Sequence, residues 1–206
     1  MNNKVYVWDL FVRFFHWTLV LAFTIAYFTG DEESSLHAYI GYYILALIIS
    51  RVIWGLIGSR YARFSSFIYR PSAAIDYLKG FIGSGTGKKY TGHNPAGGWM
   101  TVALLISLLL TGLSGLKVYG IEGYGPLAEN STTLLNHQNS ALLRVSSADS
   151  DENEREEEYW EEIHEFLANF TVFLIFLHIG GVFASSLKQR QNLAKSMLTG
   201  YKKDEP

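Results

Sequence analysis

The sequence predicts an all-α protein: a four-helix transmembrane bundle with both termini cytoplasmic. Three observations carry that prediction. Four apolar runs, at about 11–30, 36–57, 99–119 and 163–187, approach the ~20 residues that a helix needs to cross a bilayer core of about 30 Å. The runs are continuous rather than alternating, which fits helices and not a barrel, and lipid admits only those two because every backbone polar group must be paired internally. The charges also sort by side. Lys4, then Arg60, Arg63, Arg70, Lys79, Lys88 and Lys89, then Lys188, Arg190, Lys195, Lys202 and Lys203 fall on one side; Asp31, Glu32, Glu33 and the acidic stretch 122–162 fall on the other. The positive-inside rule makes the basic side cytoplasmic.

Composition agrees. With 206 residues the chain suits a single domain, and 49% hydrophobic residues, 15% aromatics and a mean hydropathy of +0.10 describe one that faces lipid. There is no cysteine, which excludes disulfides, thiolate-held iron–sulfur clusters and covalent c-type haem. The net charge of −2 gives no reason to expect a nucleic-acid partner.

Taken in order, the first residues lack the basic start, short apolar core and cleavage site of a secretory signal, so the first helix is expected to persist. Trp8 is expected at the membrane interface, and Arg13 and His16 lie early in the helix. A short outer turn ends at Ser34 or Ser35, either of which can cap the second helix, whose His37 and Arg51 are fourteen positions apart. The basic cytoplasmic loop 58–98 contains an amphipathic surface segment, Ile68 to Phe81, interrupted by Pro71, and then a glycine-rich linker over 83–89. That linker has neither a preceding strand nor a Gly-Lys-Ser/Thr ending, so it is no phosphate-binding loop. The third helix carries Gly112, Ser114 and Gly115, small residues that allow close packing against a neighbour or a flat cofactor. The acidic periplasmic loop 120–162 is expected as a solvated face or a tether, or as a docking surface for a basic soluble partner.

The fourth helix gives the clearest sign of chemistry. His164 and His178 are fourteen positions apart, which is about 21 Å of rise and leaves the two imidazoles within about 40° of one face. Polar side chains at membrane depth are costly and face a partner or a cofactor. Topology supplies partners at both depths. His16 and His178 fall at the inner level, and His37 and His164 at the outer one. Two imidazoles from different helices can hold a haem iron from both axial sides, so each pair is a candidate metal site for one non-covalent haem b. Both axial positions are then filled, which suits electron exchange rather than oxygen binding. Haem propionates need cationic partners: Arg13 and Arg51 are candidates at the inner level and Lys117 at the outer one. His93 is expected in the loop or at a quinone site, and His137 in solvent.

Three motifs add a family resemblance. The opening Val-Trp-Asp-Leu-Phe-Val-Arg-Phe-Phe-His-Trp, the Arg-Val-Ile-Trp-Gly-Leu-Ile-Gly-Ser-Arg-Tyr-Ala-Arg-Phe ending the second helix, and Gly-His-Asn-Pro-Ala-Gly-Gly-Trp before the third resemble the bacterial cytochrome b561 group. That group includes the b cytochrome subunits of membrane-bound nickel–iron hydrogenases. The resemblance spans nearly the whole chain. It implies two b haems, held by His16 with His178 and by His37 with His164, and electron transfer between the outer face and the quinone pool of a bacterial inner membrane. The acidic outer segment resembles members that work beside small periplasmic c-type cytochromes. Family members also work in complexes, so a homodimer or larger assembly is open. The wider group leaves an alternative, a membrane oxidoreductase acting directly on a small species such as superoxide with quinone; the acidic outer face argues against attracting an anion.

Overall fold

A computed structural model describes residues 4–30, 35–82, 90–128 and 142–203. The acidic turn at 31–34, the linker at 83–89 and His137 lie outside the described residues. Four helices are long and apolar enough to cross a membrane: α1 (Leu10–Phe28), α2 (Ser35–Ile57), α4 (Pro95–Ile121) and the Glu154–Gln189 part of α5 (Leu142–Gln189). Two shorter helices, α3 (Pro71–Ile82) and α6 (Leu193–Thr199), complete the helical set among the described residues. Large apolar side chains such as Leu21, Phe28, Ile57, Phe166 and Phe176 stand exposed on the spans, as they do when the solvent is lipid rather than water.

Caps define where the helices begin. Asp9 opens α1 by accepting from the Val12 amide at 2.8 Å, and its second oxygen accepts from Trp54 Nε1 at 3.0 Å and from the Ser59 hydroxyl. One carboxylate therefore ties the start of α1 to the end of α2. Burial raises the Asp9 pKa, but these hydrogen bonds, with Arg51, outweigh it and leave the group below its ordinary value. Asn94 caps α4 through the Gly97 amide at 2.7 Å, with Pro95 at the first turn, so this helix starts four residues before its apolar run. Pro71 does not interrupt the surface helix but opens it, because a missing N–H costs nothing at a helix start. At the other end of α3, Lys188 donates to the Gly80 and Phe81 carbonyls at 3.2 and 2.5 Å.

The bundle packs as a row. α1 lies on α2, α2 on α4, and α4 on α5. Ala22, Ala26, Ile44, Ile48 and Leu108 fill the seam among the first three spans. α4 and α5 are joined by polar contacts: Thr171, fully buried, meets Ser107 at 2.7 Å and Thr111 at 3.3 Å. Such hydroxyl pairs suit a lipid-facing bundle, where burying apolar surface gives no advantage over lipid contact. By contrast, α5 is not closely packed on α1 or α2.

Three features depart from the sequence expectation. The acidic stretch is not a loop over its second half: α5 starts at Leu142 and runs unbroken into the span. Its 48 residues rise about 72 Å, more than twice the bilayer core, so the acidic part stands clear as a helical mast. No glycine or proline occurs between Pro126 and Gly180 to stop it. Trp8 is not an interfacial anchor but is 8% exposed, with Nε1 donating to Ser196 Oγ at 3.3 Å. Finally, a two-stranded antiparallel ribbon pairs β1 (Lys4–Tyr6) with β2 (Tyr201–Lys203), opposing Val5 and Lys202. The ribbon places both terminal segments at the same, basic end of the bundle. Gly200, at φ 86°, makes the turn that allows it, and its carbonyl accepts from the Val7 and Trp8 amides at 2.8 and 3.1 Å.

Candidate functional site

The structure brings together the histidines at each level. At the acidic end, His37 of α2 and His164 of α5 stand with ring centroids 6.0 Å apart and planes at 88°. His37 Nδ1 lies 3.0 Å from the Ala26 carbonyl, and His164 Nδ1 lies 3.0 Å from the Thr111 carbonyl. A carbonyl only accepts, so each Nδ1 carries the proton and each Nε2 keeps its lone pair. That is the tautomer a metal-bound imidazole needs, oriented by a second contact. Ser114 Oγ, 3.1 Å from the same His164 nitrogen, also donates to the Thr111 carbonyl at 2.9 Å, so its oxygen is free to accept. Gly115 makes room for the ring: a Cβ there would stand 2.7 Å from His164 Cε1.

At the basic end, His16 of α1 and His178 of α5 are within electrostatic reach of one another. His16 Nδ1 is shielded and has no hydrogen-bond partner. This level therefore lacks the carbonyl that fixes the tautomer at the other. The two pairs bridge α1 to α5 and α2 to α5, the seams where α5 is not closely packed. Open seams flanked by paired imidazoles fit a flat, axially held cofactor.

A cationic cluster adjoins the basic-end pair. Arg51 is 2% exposed; its Nη2 donates to the Ala62 carbonyl at 3.1 Å, its guanidinium lies over Phe64 at 5.3 Å, and its Nη1 is unpartnered. Arg13 Nη1 donates to the Leu198 carbonyl at 2.7 Å while its Nε is unpartnered. His93 packs between Trp8 and Phe67, at 4.6 and 4.5 Å between ring centroids, and its Nδ1 is also unpartnered. Burial, then the charges of Lys202 and Arg51, push His93 down to about 3, so it is neutral at physiological pH. Lys202, 8% exposed, donates to the Gly92 carbonyl at 2.8 Å, lies 5.2 Å from the Trp8 ring centre, and is pushed down to about 8 by burial. Shielded, unpartnered donors beside two histidines fit the carboxylate edge of a haem. Lys117, at the other level, pairs with Glu156 of α5 at 3.1 Å.

Sequence reasoning paired the four histidines and singled out Arg13, Arg51 and Lys117. It missed Lys202 and the structural place of Trp8, since a lysine in a charged tail carries no signal and only the ribbon brings it inward. It expected His93 in the loop or at a quinone site, and the loop brings it within electrostatic reach of Arg51 and His178.

A bundle of four apolar spans, with His37 facing His164 and with His16 and His178 within electrostatic reach, suits one class: a membrane cytochrome of the b type. The model of the prokaryotic cytochrome b561 family matches residues 7–200, and the chain belongs to that family. Membership makes it a multi-pass membrane b-type cytochrome that binds haem b and takes part in electron transfer. No curated protein and no solved structure matches the chain.

Proposed function

We propose that the chain carries single electrons across a bacterial inner membrane through two b haems, between a periplasmic c-type cytochrome and the quinone pool. His37 and His164 hold the outer haem; His16 and His178 hold the inner one. Haem b, when bound, supplies a one-electron iron couple. Two imidazoles at each level would hold the iron in a form suited to electron exchange rather than to oxygen binding. Arg13 and Arg51 would pair the inner propionates, and Lys117, which pairs with Glu156, would be the cation at the outer level. The observation that carries the reading is the approach of His37 and His164, with ring centroids 6.0 Å apart and each Nδ1 held on a backbone carbonyl.

The partner assignments rest on charge and position. Glu154, Glu158, Glu161 and Glu162 are exposed on the part of α5 that stands clear of the bilayer, and such a field steers a basic soluble protein toward the outer pair. The single domain over 1–206 serves as the relay, with its basic end toward the cytoplasm.

The test is a reduced-minus-oxidised visible spectrum with haem counted per chain, on wild type, His164→Ala and His16→Ala. We expect two haems in wild type and one in each variant, with the remaining spectrum differing between the two. A single haem in wild type, or a count that His164→Ala leaves unchanged, overturns the two-centre relay.

A further inference from the structure

The described part of the loop between α2 and α4 lines a half-open cavity of about 480 Å³ that the histidine pairs do not use. Its walls include Arg60, Arg63, Tyr69, Tyr90, Gly92 and His93. Serine and threonine hydroxyls and a further tyrosine line it too, and no acidic residue is among the described lining residues. The lining is thus rich in hydrogen-bond donors around two guanidinium groups. An apolar slot would suit a neutral ring; this one suits an anion with several acceptor oxygens.

The walls are built rather than loose. Lys202, held in the terminal ribbon, fixes the Gly92 carbonyl at 2.8 Å, and Trp99 Nε1 fixes the Tyr69 carbonyl at 3.0 Å. Tyr69 and Tyr90 rings meet at 5.6 Å. At Gly92 a Cβ would stand 3.1 Å from Tyr61, so that wall is close-fitting. His93 forms one wall, packed between Trp8 and Phe67. The cavity sits where α2 ends and α4 begins, at the basic end of the bundle, the level of lipid headgroups. Exposed Ile68, next to Tyr69 in the chain, and Trp99, bonded to the Tyr69 carbonyl, offer apolar surface for acyl chains.

We infer that this cavity binds the phosphate of an anionic phospholipid headgroup, with Arg60 and Arg63 as its charged donors. Basic pockets between membrane helices on the cytoplasmic side are suited to such headgroups. Because His93 forms one wall and also faces Arg51 and His178, the bound lipid buttresses the loop against the inner histidine pair.

The experiment measures binding of short-chain phosphatidylglycerol and phosphatidylcholine to the detergent-purified full chain by native mass spectrometry. Three proteins are compared: wild type, Arg60→Gln with Arg63→Gln, and Arg70→Gln with Lys79→Gln, the last pair lying on the same loop outside the cavity. Thermal midpoints from tryptophan fluorescence establish that each variant folds. We expect wild type to prefer the anionic lipid about tenfold, the first variant to lose the preference and the second to keep it. Equal binding of both lipids by wild type overturns the proposal. Equal loss in both variants also overturns it, by assigning the effect to a diffuse basic surface. Inorganic phosphate binding as tightly as the lipid makes free phosphate the ligand and sinks the headgroup assignment, and one-for-one displacement of lipid by a quinol analogue makes the cavity a quinone slot.

Discussion

At the scale of single residues, the two histidine levels are prepared differently. The outer imidazoles have their protons placed by the Ala26 and Thr111 carbonyls, whereas His16 has none to place its own. Gly115 is the closest neighbour that cannot grow. A methyl there would stand 2.7 Å from His164 Cε1 and 3.1 Å from Nδ1, so Gly115→Ala is expected to displace the ring and lower haem content from two toward one. Gly41→Ala, with open space around it, is expected to leave the count at two; equal counts in both variants would separate Gly115 from the site. Lys202 carries a pH signature. Its folded pKa of about 8 lies below the ordinary 10.5, so between these values the unfolded chain holds a proton that the folded chain does not. Stability therefore rises as pH climbs from about 8 toward about 10.5, and the burial penalty is fully present below about 8. A shift of that size corresponds to about 3 kcal/mol at most. Thermal midpoints across this range should rise for wild type and respond less to pH in Lys202→Met.

At the scale of elements, α5 joins two environments. Its apolar half is held to α4 by the Ser107–Thr171 contact, and Thr171→Val is expected to lower stability by about 1 kcal/mol, read as a lower thermal midpoint in detergent. The Lys117–Glu156 pair joins the same two helices, but with side chains 31% and 46% exposed it contributes at most about 1 kcal/mol. The acidic half acts through its field instead. Replacing Glu158, Glu161 and Glu162 with Gln is expected to slow association with a basic c-type cytochrome several-fold at low salt and to flatten the salt dependence. An unchanged rate at low ionic strength would remove the mast from docking. The acidic run was legible as charge but not as helix, because hydropathy marks where a helix enters lipid and not where it begins.

At the scale of the whole molecule, the bundle has two unlike ends. The packed row α1–α2–α4–α5 leaves α5 meeting α1 and α2 through a few side chains, among them Tyr27 with Asn169 and His37 with His164. The terminal ribbon then closes the basic end, carrying Lys202 to Gly92 and setting Trp8 edge-on to His93. The basic end is consequently dense with buried cations and the acidic end is extended into solvent, a polarity suited to different partners at the two faces.

The sequence by itself determined the four spans, the basic and acidic ends, and the sorting of His16, His37, His164 and His178 into two depths. Helical rise and bilayer thickness are fixed lengths, so spacing along the chain becomes depth in the membrane. The tertiary structure alone decided which atoms those histidines turn inward, since a tautomer depends on a carbonyl from another turn or helix: Ala26 for His37, Thr111 for His164. It alone also brought His93, Arg51 and Lys202 together and built the cavity beside them. These residues are far apart in sequence and share no periodicity. Their meeting follows from a loop folding back under α4 and from a ribbon that joins the first residues to the last.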